Sequence, residues 1–285
     1  MPNRREMLKI LQVGASESRP LNCLVLRQDA PPVPTVCFVA DLHKFAARSD
    51  AESVDPELRR VAGRCDRCVL GGDIFDFRWS TLGSREATAD AAVEWLAGLL
   101  GACPSTTFHL LLGNHDHASP LLARLPALAD ASPRFAWHQY FLRVGETVFL
   151  HGDAADVPRR RRSRVTPADR LAMRRERSLH HGSKTKGRAA NGVYRQFVRS
   201  RLHHLVPRVA YPKRRVAARL TAYLEHLDMA AVDGVRSVYF GHTHLPIDGY
   251  RYAGMRFYNG GAPIGSRSFR ILTTEVSADA AVHAH

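Results

Sequence analysis

The sequence predicts an α/β protein in which two packed sheets carry helices on their outer faces. Three observations lead there. Short apolar runs rich in β-branched and aromatic residues recur along the 285 residues, and five of them end in a cluster of Asp, His, Asn or Gly. Helical spacing fills the gaps between the early runs. After about residue 130 the runs follow one another through hairpin-like turns, as in a sheet with antiparallel neighbours.

Val36–Ala40 is the first run and leads into Asp41-Leu42-His43. Asp55-Pro56 reads as an N-cap with proline at the first helical position, followed by the stripe Leu58, Val61 and Ala62. Cys68–Leu70 runs into Gly71-Gly72-Asp73. Val93, Leu96, Ala97 and Leu100 place a helix over 85–100, which Gly101 is expected to stop. Phe108–Leu112 leads into Gly113-Asn114-His115-Asp116, and Ser119-Pro120 opens another helix. Strand-like segments follow at Gln139–Val144 and Thr147–Leu150, with a turn at Gly145-Glu146 and with His151-Gly152-Asp153 at the end. Ser237–Phe240 runs into Gly241-His242-Thr243-His244. Gly249–Ala253, Met255–Tyr258 and Phe269–Val276 complete the strands, with a turn at Ala253-Gly254, and Ser277–His285 reads as frayed.

Between these segments lies a stretch of different character. From Pro158 to Arg219 there are 20 Lys and Arg against two acids, Asp169 and Glu176, a local charge of +18 in a chain whose net charge is +14. The rest is therefore mildly acidic, and the basicity belongs to one segment. Residues 154–236 read as a helical insertion. Thr166-Pro167 starts one helix, Val193, Phe197 and Val198 mark another, and Val216, Leu220, Tyr223, Leu224 and Leu227 form an amphipathic stripe. Five cysteines make no disulfide framework, and the Cys65/Cys68 pair lacks a partner pair for zinc and runs into a strand rather than a helix. No apolar run reaches the roughly 20 residues that span a bilayer, and Met1–Pro20 lacks the apolar core of a secretory signal. The expectation is a cytoplasmic protein.

The five strand-end motifs carry the chemistry. Carboxylates and imidazoles together suit borderline divalent ions such as Mn, Fe and Zn. A carboxylate can bridge two ions, and a pair of ions about 3.5–4 Å apart can clamp both sides of an in-line displacement at phosphorus. Glycine before Asp73, Asn114 and His242 is read as letting the backbone turn sharply where the strands end. A lone Asp-x-His is more often an ordinary loop than a metal site; five such motifs in order, each after a strand, overturn that reading.

DLH at 41–43, GD at 72–73, GNHD at 113–116, HGD at 151–153 and GHTH at 241–244 together resemble the calcineurin-like metallophosphoesterases. The resemblance spans about residues 35–262 and implies one domain over 1–285, a four-layer α/β/β/α sandwich with a helical insertion at 154–236. It implies two divalent ions, manganese first among the candidates. Asp41, His43, Asp73 and His244 would hold one and Asp73, Asn114, His151 and His242 the other, with Asp73 bridging. His115 matches the residue that protonates the leaving oxygen, and Asp76 the residue that orients that histidine. In the mechanism so implied, the ions lower the pKa of a bridging water and the hydroxide attacks phosphorus in line.

The family covers many phosphoesters, so the fold does not name the substrate. Ile74–Trp79 lacks the Arg-Gly that follows GD in Ser/Thr protein phosphatases. GDIFDF is closer to the GDLFE-type sequence of UDP-diacylglucosamine pyrophosphohydrolases, which also insert a cap after HGD, although the arginine-dense stretch Arg159–Arg177 does not follow their pattern. The expected substrate is a phosphorylated small molecule or lipid-linked anion, with peripheral contact of 154–236 with anionic membrane at the inner face. A nuclease is the alternative, weakened by the few aromatic residues available there for base stacking. Ten of the 15 histidines lie outside the motif set, and ordinary structural roles are expected of them; His109 is read as buried and satisfied, and His117 as the one nearest the chemistry. Asp116 is expected to bind nearby backbone.

Overall fold

Successive side chains on a strand point to opposite faces, so a strand covered on both sides feeds two cores at once. In the computed structural model, which describes residues 33–156, 169, 211–265, 268–277 and 282–284, this alternation sorts the apolar residues into three layers. β1 (Thr35–Val39) sends Val36 and Phe38 to one cluster and Cys37 and Val39 to another. β2 (Arg67–Leu70) divides Val69 from Cys68 and Leu70 in the same way, and β3 (Thr107–Leu111) divides Leu111 from Phe108 and Leu110. β6 (Thr147–Leu150) and β7 (Ser237–Phe240) give Phe149 and Tyr239 to the first cluster, and Val148, Leu150, Val238 and Phe240 to a third. The shared cluster is the interior between two sheets. Phe38 stacks on Phe149 there, with ring centroids 5.8 Å apart.

The first sheet has the order β10-β1-β2-β3-β4, where β4 is Phe135–His138 and β10 is Leu272–Glu275. β1 to β4 run parallel and β10 is antiparallel to β1. The second has the order β11-β5-β6-β7-β9-β8, with β5 (Phe141–Val144), β8 (Ile247–Tyr252), β9 (Met255–Asn259) and β11 (Val282–Ala284). Helices α1 (Ala51–Ala62), α2 (Arg85–Ala102), α3 (Ser119–Leu122) and α4 (Leu125–Ala131) cover the outer face of the first sheet through residues such as Leu58, Leu96, Leu121 and Leu125. Helix α5 (Lys213–Glu225) covers the second with Val216, Leu220, Tyr223 and Leu224. This is the four-layer α/β/β/α arrangement, within one unit spanning Pro34–His285.

Several elements differ from expectation. Helix α1 starts at Ala51, and Pro56 lies inside it. The Ser49 hydroxyl accepts from the Ala51 N–H at 3.1 Å and the Asp50 carbonyl from the Ser53 N–H at 3.0 Å, so a turn forms before the proline. The Asp55 side chain is drawn not to a cap but to Lys44 Nζ at 2.8 Å and Trp95 Nε1 at 3.0 Å. Helix α2 runs through Gly101 to Ala102; its N-cap is Ser84, whose Oγ accepts from the Ala87 N–H at 3.0 Å. β4 was not read from the sequence. Within the stretch read as frayed, Val282–Ala284 pairs antiparallel with Leu142–Val144, because β5 would otherwise leave an open sheet edge. Both expected hairpin turns form, with Gly145, Ala253 and Gly254 at positive φ. Cys37, Cys65, Cys68 and Cys103 are buried and free. The helices expected at Thr166-Pro167 and around Val193–Val198, and most of the basic insertion, lie outside the described residues. Among the described residues no helix is long and apolar enough to cross a membrane.

Candidate metal centre

The five motif-bearing strands are β1, β2 and β3 of one sheet and β6 and β7 of the other. Parallel pairing continues past their ends. Asp41 N–H donates to Gly72 O at 3.0 Å, His43 N–H to Asp73 O at 2.9 Å and Lys44 N–H to Ile74 O at 2.8 Å, so the loops after β1 and β2 run side by side. Gly241 N–H does the same to His151 O across β6 and β7 at 2.9 Å. Asp41, His43, Asp73, His242 and His244 all adopt positive φ, from 48° to 68°. A side-chain-bearing residue in that region costs about 1–2 kcal/mol. Five such residues at the ends of three strands mark a place where the fold accepts strain to aim side chains inward.

Two of the three glycines serve a different purpose from the one read in the sequence. Gly72 has φ 87° and does make a turn. Gly113 and Gly241 have no such φ; they are needed for room. A Cβ on Gly113 would sit 2.1 Å from Asp73 Oδ1, and one on Gly241 2.7 Å from Asp41 Oδ2.

The strand ends gather the donors into two groups. Asp41, His43 and His244 form one, and Asp73, His151 and His242 the other, with one donor atom from each residue within 4.8 Å of the others in its group. In the first, His43 Nε2 lies 3.1 Å from His244 Nε2, and His244 Nε2 lies 3.7 Å from Asp41 Oδ1. In the second, His151 Nε2 is 3.3 Å from His242 Nδ1 and 3.2 Å from Asn114 Oδ1. One oxygen, Asp73 Oδ2, faces both: it is 3.9 Å from His43 Nε2 and 3.4 Å from His151 Nε2. Asp73 Oδ1 is turned away and accepts the His115 N–H at 2.7 Å. All seven residues assigned by resemblance thus meet in one place.

Each imidazole that presents one nitrogen to this space has the other nitrogen to dispose of. His151 Nδ1 lies 3.2 Å from Gly71 O. His43 Nδ1 lies 3.3 Å from Asp76 Oδ2, and His242 Nε2 lies 2.8 Å from Asp156 Oδ2. Asp76, completely buried, also meets His115 Nδ1 at 2.9 Å, accepts from Arg48 Nη2 at 3.0 Å and takes the N–H groups of Arg78 and Trp79. It therefore orients His115, as the sequence suggested, and its other oxygen stands at ion-pair distance from His43 without a hydrogen bond to it. His43, Asp76 and His115 are themselves close enough to hold an ion. Asp76 Oδ1 is already saturated by three donors, however, so this trio is better suited to holding a proton than a metal.

The electrostatics suit a cation. Burial and the charge of Asp73 push the Asp41 carboxyl well above its usual range. Burial alone would raise Asp73 too, but His151, His115 and His43 around it hold it well below that range. Burial lowers His43 to about 4, and burial, with His43 beside it, takes His244 well below its ordinary value. Burial likewise lowers His151, so three of the four imidazoles favour the neutral form a metal takes, whereas Asp156 raises His242 against the pull of burial. Asp41 Oδ2, buried without a hydrogen-bond partner, is the orphan such an ion would satisfy. The residues fit two divalent ions. His115, by contrast, is raised against the pull of burial by Asp76 and Asp73, which favours its protonated form.

Other residues take the places the structure gives them. Asp116 accepts the N–H groups of Phe75, Ile74 and Gly113 at 2.8, 3.3 and 3.1 Å, which fixes the Asp73 loop against the Asn114 loop; burial and Asp73 raise it to about 7. His117 is buried. His109 is partly buried and pairs with His138 at 3.1 Å. Asp156, Arg48 and Lys44 escaped the sequence reading. None sits in a strand-end motif, although Lys44 directly follows His43, where a buried cation could have been suspected.

One of three comparisons with known proteins bears on this geometry. No curated protein is similar enough in sequence to count as a relative. Among solved structures, a dimetal phosphatase from Danio rerio aligns over 87% of this chain and 94% of its own, at 16% identity and a TM-score of 0.45, too loose a likeness to carry an argument. The sequence pattern of the calcineurin-like phosphoesterases matches residues 34–246, from the first residue of the β1 approach to just past His244. With that match covering well over half of the chain and every strand-end motif, the chain belongs to the calcineurin-like phosphoesterase family.

Proposed function

We propose that this protein is a metal-dependent hydrolase of phosphoester or pyrophosphate bonds, with Asp41, His43, Asp73 and His244 holding one divalent ion and Asp73, Asn114, His151 and His242 the other. The observation that carries this reading is Asp73 Oδ2, a single buried oxygen facing His43 Nε2 on one side and His151 Nε2 on the other. Manganese is the first choice on the chemistry of the donors, with iron and zinc as competitors. Two such ions supply Lewis acidity for the phosphate oxygens and a water acidified to near neutral pH. The chain's own part is a proton. His115, held at Nδ1 by Asp76, keeps Nε2 to protonate the departing oxygen. Arg48, bound to Asp76, keeps a positive charge beside this pair.

A phosphorylated small molecule or lipid-linked anion remains the proposed substrate class. The same holds for contact between the 154–236 segment and anionic membrane; both rest on composition. The test is turnover of nitrophenyl phosphate, bis-nitrophenyl phosphate and nucleotide pyrophosphates with added Mn2+, alongside metal analysis of the purified chain. Hydrolysis of at least one, lost in Asp73→Asn, is expected. A chain that binds no divalent ion would sink the reading, and cleavage of DNA in place of all three would replace the substrate class with a polymer.

A further inference from the structure

His242 differs from His151 and His43 in what secures its outer nitrogen. His151 Nδ1 is held by Gly71 O, and His43 Nδ1 only approaches Asp76 without a hydrogen bond; both partners lie in the loop after β2. His242 is held by Asp156, the last residue of the single 3₁₀ turn Asp153–Asp156 that follows the His151 motif. Nδ1 of His242 faces His151 and Asp73, so Nε2 is on the far side of the ring, 2.8 Å from Asp156 Oδ2. A carboxylate oxygen only accepts. Nε2 must therefore carry a hydrogen, and in the neutral ring the lone pair a metal needs is then on Nδ1.

Asp156 is itself held from the other side of the insertion. Its Oδ1 accepts the Tyr211 hydroxyl at 2.8 Å, and the Tyr211 ring stands edge-on to His242 with centroids 6.1 Å apart. Arg219 of α5 donates to the Ala155 carbonyl, fixing the backbone of the same turn. In sequence, Asp156 and Tyr211 flank residues 157–210, the greater part of the basic segment. The two residues that flank that segment in sequence are thus hydrogen-bonded to each other, and one of them holds a proposed metal ligand.

We infer that Asp156 and Tyr211 are positioning residues of the second metal site: together they set the tautomer and ring orientation of His242, so that this site's affinity depends on the two ends of the 157–210 segment being held together. The inference rests on the two-ion reading above. Outer carboxylates of this kind typically contribute a factor of 10–100 in metal affinity.

The experiment is a Mn2+ titration of the metal-stripped full chain, followed by electron paramagnetic resonance of the coupled ion pair and by bound metal per chain. Asp156→Ala is expected to weaken one of the two sites by about 10–100-fold, to abolish the coupled-pair signal at low Mn2+, and to leave the other site and the melting point of the metal-free protein unchanged. Tyr211→Phe, which keeps the ring and removes only the hydroxyl, should weaken the same site to a lesser degree. Asp156→Asn, which keeps an acceptor for Nε2–H, should fall between wild type and Asp156→Ala and serves if the alanine variant does not fold. Unchanged affinities in all three variants would overturn the inference. So would equal weakening of both sites together with a lower metal-free melting point, which is the signature of a merely structural role. A wild-type chain that never binds two ions would instead overturn the two-ion reading.

Discussion

His115 illustrates how much a single residue's neighbours decide. Asp76 engages Nδ1 at 2.9 Å, and the negative charges of Asp76 and Asp73 raise its pKa against the pull of burial, so the ring is primed to give a proton. His115→Asn should lower kcat by about 10²–10⁴ while bound metal stays at the wild-type level. The loss should be smallest for nitrophenyl esters, whose leaving group needs no proton, and should grow for alkyl esters; a loss independent of the leaving group would exclude the acid role. Gly113 makes a separate case. A methyl group there would lie 2.1 Å from Asp73 Oδ1, so Gly113→Ala must displace the shared carboxylate. Because Asp73 faces both groups of donors, both ions should be lost together, measured as metal per chain. The importance of Gly113 was legible in the sequence and its reason was not, since crowding by a residue 40 positions earlier is a property of the fold.

Among the elements, what could be read in advance followed from periodicity. The five strand ends that build the site were visible because each apolar run stops at a polar cluster, and the α5 stripe of Val216, Leu220, Tyr223 and Leu224 is buried as its spacing implied. β4 was missed because Phe135–His138 is four residues long and carries no motif. Asp156 and Arg48 were missed because a short 3₁₀ turn and a loop bring them to the centre, and no local pattern says where such a residue lands. β4 also carries a consequence for pH. His138, near its end, stacks on His109 of β3, and burial pushes each down to about 4. In the unfolded chain a histidine titrates near 6.5. Between about pH 6.5 and 4 the unfolded state therefore binds protons that the native state refuses, and stability drains away as the pH falls through that window. His109→Gln should show a shallower loss of melting temperature over the same window than wild type; parallel curves would show that the pair does not matter. Lys44 makes the α1 contact in the same spirit. Buried to 1% exposure, its Nζ meets Asp55 at 2.8 Å and Glu52 at 3.2 Å and sits over Trp95. Removing it leaves Asp55 beside an apolar core with only the Trp95 N–H as partner, but Asp55 is partly exposed and Glu52 largely so, which tempers the penalty. Lys44→Ala should cost about 2 kcal/mol in urea unfolding.

For the molecule as a whole, the two sheets meet over Phe38, Phe149 and Tyr239, and at the strand ends of that same interior they bring together buried carboxylates. Asp41 and Asp73 lie on loops paired through the Asp41 N–H and Gly72 O, one carboxylate raising the pKa of the other. Without a cation this is a source of instability built into the fold. With one it would become a source of cohesion, because the proposed ions would tie strand ends of both sheets: Asp41, His43, Asp73 and Asn114 from one, His151, His242 and His244 from the other. Metal at a hundred times its dissociation constant should add about 2.7 kcal/mol, and at about 2–4 °C per kcal/mol for a domain near this size, chelation should lower the melting point by roughly 5–10 °C. Asp41→Asn then has opposite signs in the two states. In the metal-free protein it removes a carboxyl that burial and Asp73 keep from ionising freely, and should stabilise at neutral pH, by on the order of 1 kcal/mol. In the presence of saturating Mn2+ it removes a ligand and should destabilise relative to wild type. Thermal melts of both proteins with and without chelator test this. Curves that cross are expected, whereas a variant less stable in both conditions would mean that Asp41 supports the fold and not the ion.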